Sequence, residues 1–263
     1  MRILLKLELQ NSIKNILPVN YQYPLSAWIY KTIHEGDHKF AEFLHNKGFE
    51  AGSKSFKFFT FSMLGFDKGG YSINGDRLHI LNKKAKLELS FLIPDALQYF
   101  IEGLFKNQSF TIGDNKTKVP FIVRTVEVKS LFEFKEDMIF RTLSPLIVSQ
   151  NVEDSRYAKY LEPGDSNFER IFFDNLVRKY TAALSAELIT NNYGSANYDM
   201  KLKIMSKPRK KGLTIKAGTR EQSKIIGYMF DFRITAPVEL IKIGYLAGFG
   251  EKNSLGLGCV QTL

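Results

Sequence analysis

The feature that most constrains this chain is the order of its hydrophobic periods, which runs strand, helix, two strands, helix, strand and then repeats. Ile3, Leu5, Leu7 and Leu9 alternate with polar positions, the period of a half-buried strand. Pro24 opens a helix whose inward stripe is Leu25, Trp28, Ile29, Thr32 and Ile33, and Gly36 ends it. A short helix follows from Asp37 to about Asn46. Phe56 to Leu64 reads as one strand, and Asn74-Gly75 as the turn of a hairpin. Leu87, Leu89, Phe91 and Ile93 alternate as a further strand. Pro94 begins a helix with Leu97, Phe100, Ile101 and Leu104 at helical spacing, and a strand over about 119–129 closes the half.

The second half follows the same plan without obvious sequence identity. Met138 to Val148 reads as a strand and Asn167 to about Leu188 as a long helix. Lys201 to Met205 and Gly212 to Lys216 read as short strands around a basic bend, and Ile225 to Ile234 as a longer one. Pro237 starts a helix through Leu240, Ile241, Tyr245 and Leu246, and Leu257 to Leu263 is the last strand. The expected architecture is α+β: two tandem ferredoxin-like (RRM-like) domains, residues 1–130 and 131–263, with a C-terminal glycine-rich loop. That fold hosts many activities and assigns none.

Charge narrows the partners. The formal net charge is +10, which favours polyanions, either nucleic acid or an anionic membrane surface. No apolar run approaches the roughly 20 residues that span a bilayer. The opening Met1-Arg-Ile-Leu-Leu-Lys interrupts its apolar residues with charge, unlike a signal peptide. A cytoplasmic location away from membranes is therefore expected. The single cysteine, Cys259, excludes an intrachain disulfide and a cysteine-based zinc site. The 22 Phe and 12 Tyr supply either core or base-stacking platforms, and most of the Phe is expected in the core.

Between Lys201 and Arg220 lie eight basic residues and no Asp or Glu. Lys207, Arg209, Lys210, Lys211, Lys216 and Arg220 are the candidate phosphate contacts; the bland alternative is a solvated basic hairpin. A second candidate surface is Gly248-Phe-Gly-Glu-Lys-Asn-Ser-Leu-Gly-Leu-Gly258. Its glycines Gly248, Gly250, Gly256 and Gly258 free the backbone to present amides to an anion, beside Lys252, Asn253 and Ser254. The segment follows a helix and precedes a strand, so it is neither a Walker loop nor a dinucleotide fingerprint. Of the four histidines, His34 and His38 have metal-ligand spacing, but Gly36 lies between them and no third ligand is evident. His79 reads as structural. His45, at the end of the second helix, is placed to move a proton near neutral pH. No metal and no cofactor is expected.

Several segments resemble landmarks of one family in the right order: Tyr21-x-Tyr-Pro-Leu-x-x-x-Ile-Tyr30, Leu44-His45, Lys57-Phe-Phe-Thr-Phe-Ser62, Thr142-Leu-Ser-Pro145 and the diagnostic Gly244-to-Gly258 segment. The family is the CRISPR-associated endoribonuclease that processes precursor crRNA, within the repeat-associated mysterious protein (RAMP) superfamily. The resemblance implies two tandem ferredoxin-like domains and CRISPR repeat RNA, as precursor crRNA, for the substrate. It also implies metal-independent attack of a ribose 2′-hydroxyl on the adjacent phosphate, giving a 2′,3′-cyclic phosphate (or 3′-phosphate) and a 5′-hydroxyl. Members often carry a Tyr on the first helix, a His shortly after it and a Lys on the next strand; the matching positions are Tyr30, His45 and Lys57. His45 is then the main acid/base, Tyr30 its partner near the 2′-hydroxyl and Lys57 the phosphate stabiliser. Which of His45 and Tyr30 is the base is left open, as is whether Lys47 or Lys54 takes the cationic role. Other interference-complex subunits and a second copy of the chain are further candidate partners. The competing function is a repeat-RNA-binding subunit that does not cut. A general single-strand binder ranks last, because no RNP1-like string occurs.

Overall fold

The computed structural model describes residues 1–11, 13–130, 132–152, 158–190, 199–215 and 220–263. The first half contains β1 (Arg2–Leu9), β2 (Ile16–Pro18), α1 (Gln22–Gly36), α2 (His38–Asn46), β3 (Phe49–Ala51), β4 (Lys54–Phe56) and β5 (Phe59–Phe61). It continues with β6 (Tyr71–Asn74), β7 (Arg77–Ile80), β8 (Lys84–Phe91), α3 (Pro94–Lys106), β9 (Ser109–Gly113) and β10 (Lys118–Lys129). Five strands form an antiparallel sheet in the order β5-β8-β1-β10-β9. Without the added edge strand β9, this is the ferredoxin-like order. The alternation in β1 sends Ile3, Leu5, Leu7 and Leu9 inward and leaves Lys6 exposed. Helices α1 and α3 pack together beside this core; a Cβ on Gly103 would stand 1.8 Å from the Thr32 carbonyl oxygen, so only glycine allows that approach.

The second half contains β11 (Asp137–Thr142), β12 (Ser149–Gln150), β13 (Lys159–Tyr160), α4 (Phe168–Ser185), β14 (Lys201–Ile204), β15 (Arg209–Ile215), β16 (Ser223–Met229), β17 (Asp231–Thr235), α5 (Val238–Ala247) and β18 (Val260–Thr262). Its sheet runs β14-β17-β11-β18, the same ferredoxin-like order. Phe140, Phe172, Phe232 and Phe249 are fully buried in one aromatic core, as the expectation for Phe required. The fold class is therefore α+β with two tandem ferredoxin-like units. Among the described residues no helix is long and apolar enough to cross a membrane.

Three expected strands are corrected. Phe56–Leu64 breaks at Lys57 and Phe58, because β4 pairs with β3 whereas β5 pairs with β8. The switch is made by Phe58, whose φ of 52° is unusual for a bulky side chain. Lys57 consequently does not share a strand face with Phe59 and Phe61. Ile225–Ile234 breaks at Phe230, where the chain leaves β15 for the main sheet. Thr142 secures that switch: its hydroxyl donates to the Phe230 carbonyl (3.1 Å) and accepts from the Phe230 amide (2.9 Å). Met138–Val148 pairs with the main sheet only to Thr142. The second half of the basic bend is likewise strand, since β15 carries Arg209 to Ile215 in a hairpin with β16.

Candidate active site and RNA-contacting surfaces

The two halves meet at a polar seam. Arg2, 1% exposed, donates from one guanidinium nitrogen to the Val260 carbonyl and from the other to the Tyr245 carbonyl at 2.8 Å. Its guanidinium carbon lies 3.7 Å from the centre of the Tyr245 ring, a cation–π contact. Thr60 in β5 donates to the Leu257 carbonyl (2.8 Å). The glycine-rich segment thus lies directly on the first sheet's edge strand.

Its glycines are there for proximity. A Cβ on Gly256 would stand 2.2 Å from the Phe61 ring, and one on Gly258 would stand 1.8 Å from the Phe249 carbonyl oxygen. The amides of Phe249, Glu251, Leu255, Gly256, Leu257 and Gly258 are spent on protein carbonyls. Those six amides are therefore not offered to an anion, and Gly248, Gly250, Gly256 and Gly258 are buried and let the loop pass between packed side chains. Of the other candidates there, Lys252 is exposed, and Asn253 and Ser254 are half-buried.

A cleft of about 420 Å³ opens beside this loop. One wall is Lys54 to Phe58 of the first half; the other includes Arg178 and Lys179 of α4 and Gly250 to Ser254 of the loop. Lys57 lines this cleft and its side chain reaches over Gly48, where a Cβ would stand 2.9 Å from the Lys57 Nζ. Partial burial lowers the Lys57 pKa, and the Glu50 carboxylate opposes that shift. Lys54 also lines the cleft. Lys47 instead caps α2, and its carbonyl accepts from the Ser55 hydroxyl.

Tyr30 and His45 come together on the neighbouring helices α1 and α2. Their rings meet edge-on with centroids 5.2 Å apart, and Phe59 packs against Tyr30 at 5.3 Å. Burial pushes the Tyr30 phenol up to about 12, partly offset by the neighbouring Ser254 side chain. His45 is exposed, with its Nδ1 3.0 Å from Asn46 Oδ1. Asp37 starts α2 by accepting from the Phe40 amide (2.7 Å), and this fixes the helix that presents His45.

The basic hairpin lies elsewhere. Lys207, Arg209, Lys210 and Lys211 are exposed along and just before β15, and Arg220 is exposed beyond it; none lines the cleft. Lys216 lies outside the described residues. The hairpin's other side is anchored by Leu213 and Ile225 against Ile147 and Leu257, and the Thr214 amide donates to Asn20 Oδ1 at 3.0 Å. His34 and His38 have ring centroids 6.2 Å apart, and among the described residues no three His, Cys, Asp or Glu side chains gather as a metal site. His79 sits in β7 opposite Ile16 and Ser72. Sequence reasoning missed Arg2 and Lys179, because nothing in their sequence neighbours marks the distant carbonyls they meet; Lys179 directly follows Arg178 and looks no different from it.

Fold and cleft together define a tandem ferredoxin-like protein whose candidate site lies where its halves join. Residues 16–127 match the family described as CRISPR-associated protein Cas6, N-terminal, and residues 126–262 match CRISPR associated protein Cas6, C-terminal. The chain belongs to the Cas6 family of CRISPR-associated proteins. It is 29% identical over 261 residues to CRISPR-associated endoribonuclease Cas6 1 of Methanocaldococcus jannaschii, covering 98% of this chain and 92% of that protein. It is also 29% identical over 251 residues to CRISPR-associated endoribonuclease Cas6 of Pyrococcus furiosus, covering 94% and 83%. Among solved structures, a Cas6-related protein from Pyrococcus furiosus superposes with a TM-score of 0.81 at 25% identity, covering 100% of this chain and 98% of that one.

Proposed function

We propose that this protein is an endoribonuclease that binds CRISPR repeat RNA and cuts precursor crRNA, using His45, Tyr30 and Lys57 and no metal ion. The observation that carries the reading is the edge-on contact of the Tyr30 and His45 rings at the end of α2, with Lys57 reaching over Gly48 on the adjoining cleft. The relatives' names as CRISPR-associated endoribonucleases support the substrate class.

The chemistry follows from the groups. Cutting requires that a 2′-hydroxyl lose its proton, that O2′ bond to the adjacent phosphorus and that the P–O5′ bond break. O5′ then takes up a proton. Tyr30, with its phenol raised to about 12, stays protonated at neutral pH and serves as a donor. Removing the 2′ proton therefore falls to His45. Lys57, whose hydration is reduced by the cleft wall, stabilises charge on the phosphorane. The products are a 2′,3′-cyclic phosphate (or 3′-phosphate) and a 5′-hydroxyl. Residues 1–130 carry the chemistry. Residues 131–263 supply Lys252, Asn253 and Ser254 at the cleft and Lys207, Arg209, Lys210, Lys211, Lys216 and Arg220 for further phosphates.

A repeat-RNA-binding subunit that does not cut is the second reading, favoured by the position of His45 outside the cleft lining. Single-turnover assays with excess protein, cognate repeat RNA and EDTA separate the two. Cutting with a cyclic phosphate end is expected, and His45→Ala is expected to lose about 10²–10⁴-fold in rate while keeping RNA affinity. A requirement for Mg²⁺, a 3′-hydroxyl product or an unchanged His45→Ala rate would overturn the mechanism.

A further inference from the structure

We infer that Lys179 is a positioning residue for the cutting step, holding the glycine-rich loop so that its contact with α1 keeps Tyr30 in place; this rests on the nuclease reading above. Lys179 is 1% exposed within α4, and its Nζ donates to the carbonyls of Gly248 (2.5 Å) and Gly250 (2.7 Å). An ammonium is costly to remove from water, and an unbranched apolar side chain would fill the same space without that cost. What the apolar residue lacks is a donor for two carbonyls that converge on one point. Gly248 and Gly250 make that convergence, with φ of 91° and 66°, a region that bulky side chains avoid.

From this clamp the loop runs to the candidate site through paired groups. The Glu251 carboxylate, which attracts the buried ammonium, accepts from the Ser149 amide (3.1 Å) and hydroxyl (2.8 Å). The Asn253 amide donates to the carbonyls of Phe249 (3.0 Å) and Leu257 (2.9 Å), closing the turn. The Ser254 carbonyl accepts from the Ser26 hydroxyl of α1 at 2.6 Å, one turn before Tyr30 on that helix. Lys179 therefore grips the base of a bracket whose tip meets α1 one turn before Tyr30. It contacts no reacting atom; its effect passes through the loop.

The test combines kinetics with a probe of Tyr30 that needs no cutting. Lys179→Met should slow single-turnover cutting at least about tenfold, since misplacement of catalytic groups by an ångström is that costly, while repeat-RNA affinity stays within about twofold. In protein labelled with fluorotyrosine, the resonance assigned to Tyr30 by its loss in Tyr30→Phe should move in Lys179→Met. Ser26→Ala, which removes the donor to the Ser254 carbonyl, should show the same split, and the double variant should be no slower than the slower single variant. An unchanged rate, an unmoved Tyr30 resonance or multiplied effects in the double variant would overturn the inference. Should Lys179→Met fail to fold, Ser26→Ala decides alone: an unmoved resonance there breaks the bracket. If the wild type left all repeat RNA intact, the nuclease reading would fall, and the fluorine signal would still decide whether Lys179 places Tyr30.

Discussion

Two sets of cations in this molecule carry the same unit charge on each side chain and put it to opposite uses. Lys207, Arg209, Lys210 and Lys211 stand exposed on one hairpin, with their charge available to a partner. Arg2 and Lys179 are buried at the seam between the halves, their donors spent on the carbonyls of Val260, Tyr245, Gly248 and Gly250. Net charge therefore overstates an RNA footprint. The exposed set can release counterions from RNA, while the buried set holds the molecule together.

The largest effect expected of this contrast is on stability. Arg2→Met should lower the unfolding free energy by about 3 kcal/mol, because it leaves two carbonyls unmatched and removes a partner of Glu88, 3.7 Å away. RNA affinity should hardly change. Urea unfolding beside a binding titration checks both; a stable variant with weakened RNA binding would break the contrast.

A pH series sharpens it next. Burial, opposed by Glu251, lowers the Lys179 pKa from its ordinary 10.5 to about 7. The unfolded chain therefore binds more protons than the folded one between these values, and the contribution of Lys179 to stability rises with pH across that window. Wild type should gain stability relative to Lys179→Met between pH 7 and 8.5, by up to about 2 kcal/mol. A flat difference would mean that the buried ammonium titrates normally.

For the exposed set, replacing Lys207, Arg209, Lys210 and Lys211 with Ala should leave the melting temperature nearly unaltered and weaken repeat-RNA binding. The slope of log K against log salt should flatten by about 0.7 for each single-strand phosphate that the variant no longer neutralises. Equal slopes before and after would remove the hairpin from the footprint. The smallest effect is expected at an exposed pair: Lys6→Ala removes the ion pair with Glu127 and should cost at most about 1 kcal/mol of stability. A larger drop in urea unfolding would show that exposed cations also carry structure here.

Much of the fold was legible because its elements bury one face with a regular period. Ile3 to Leu9, Leu97 to Leu104 and the Asn74-Gly75 turn appear where their spacing places them. The misreadings fall where a strand changes partners. Phe58 and Phe230 look like ordinary strand residues, and only the competition between two sheets bends the chain there. The site divides in the same way. Tyr30 and His45 lie on adjacent helices whose packing brings their rings together. The glycines of the last loop were visible as a motif, but their use was not: they serve close packing against Phe61 and Phe249.

By itself the sequence determined the strand and helix periods, the doubled order they make and the excess of positive charge. Those properties depend on neighbours a few positions apart. Tertiary structure alone decided which cations are free and which are spent. Lys179 meets Gly248 across 69 positions and Arg2 meets Val260 across 258, so the solvation of each charge was set only when distant carbonyls reached it.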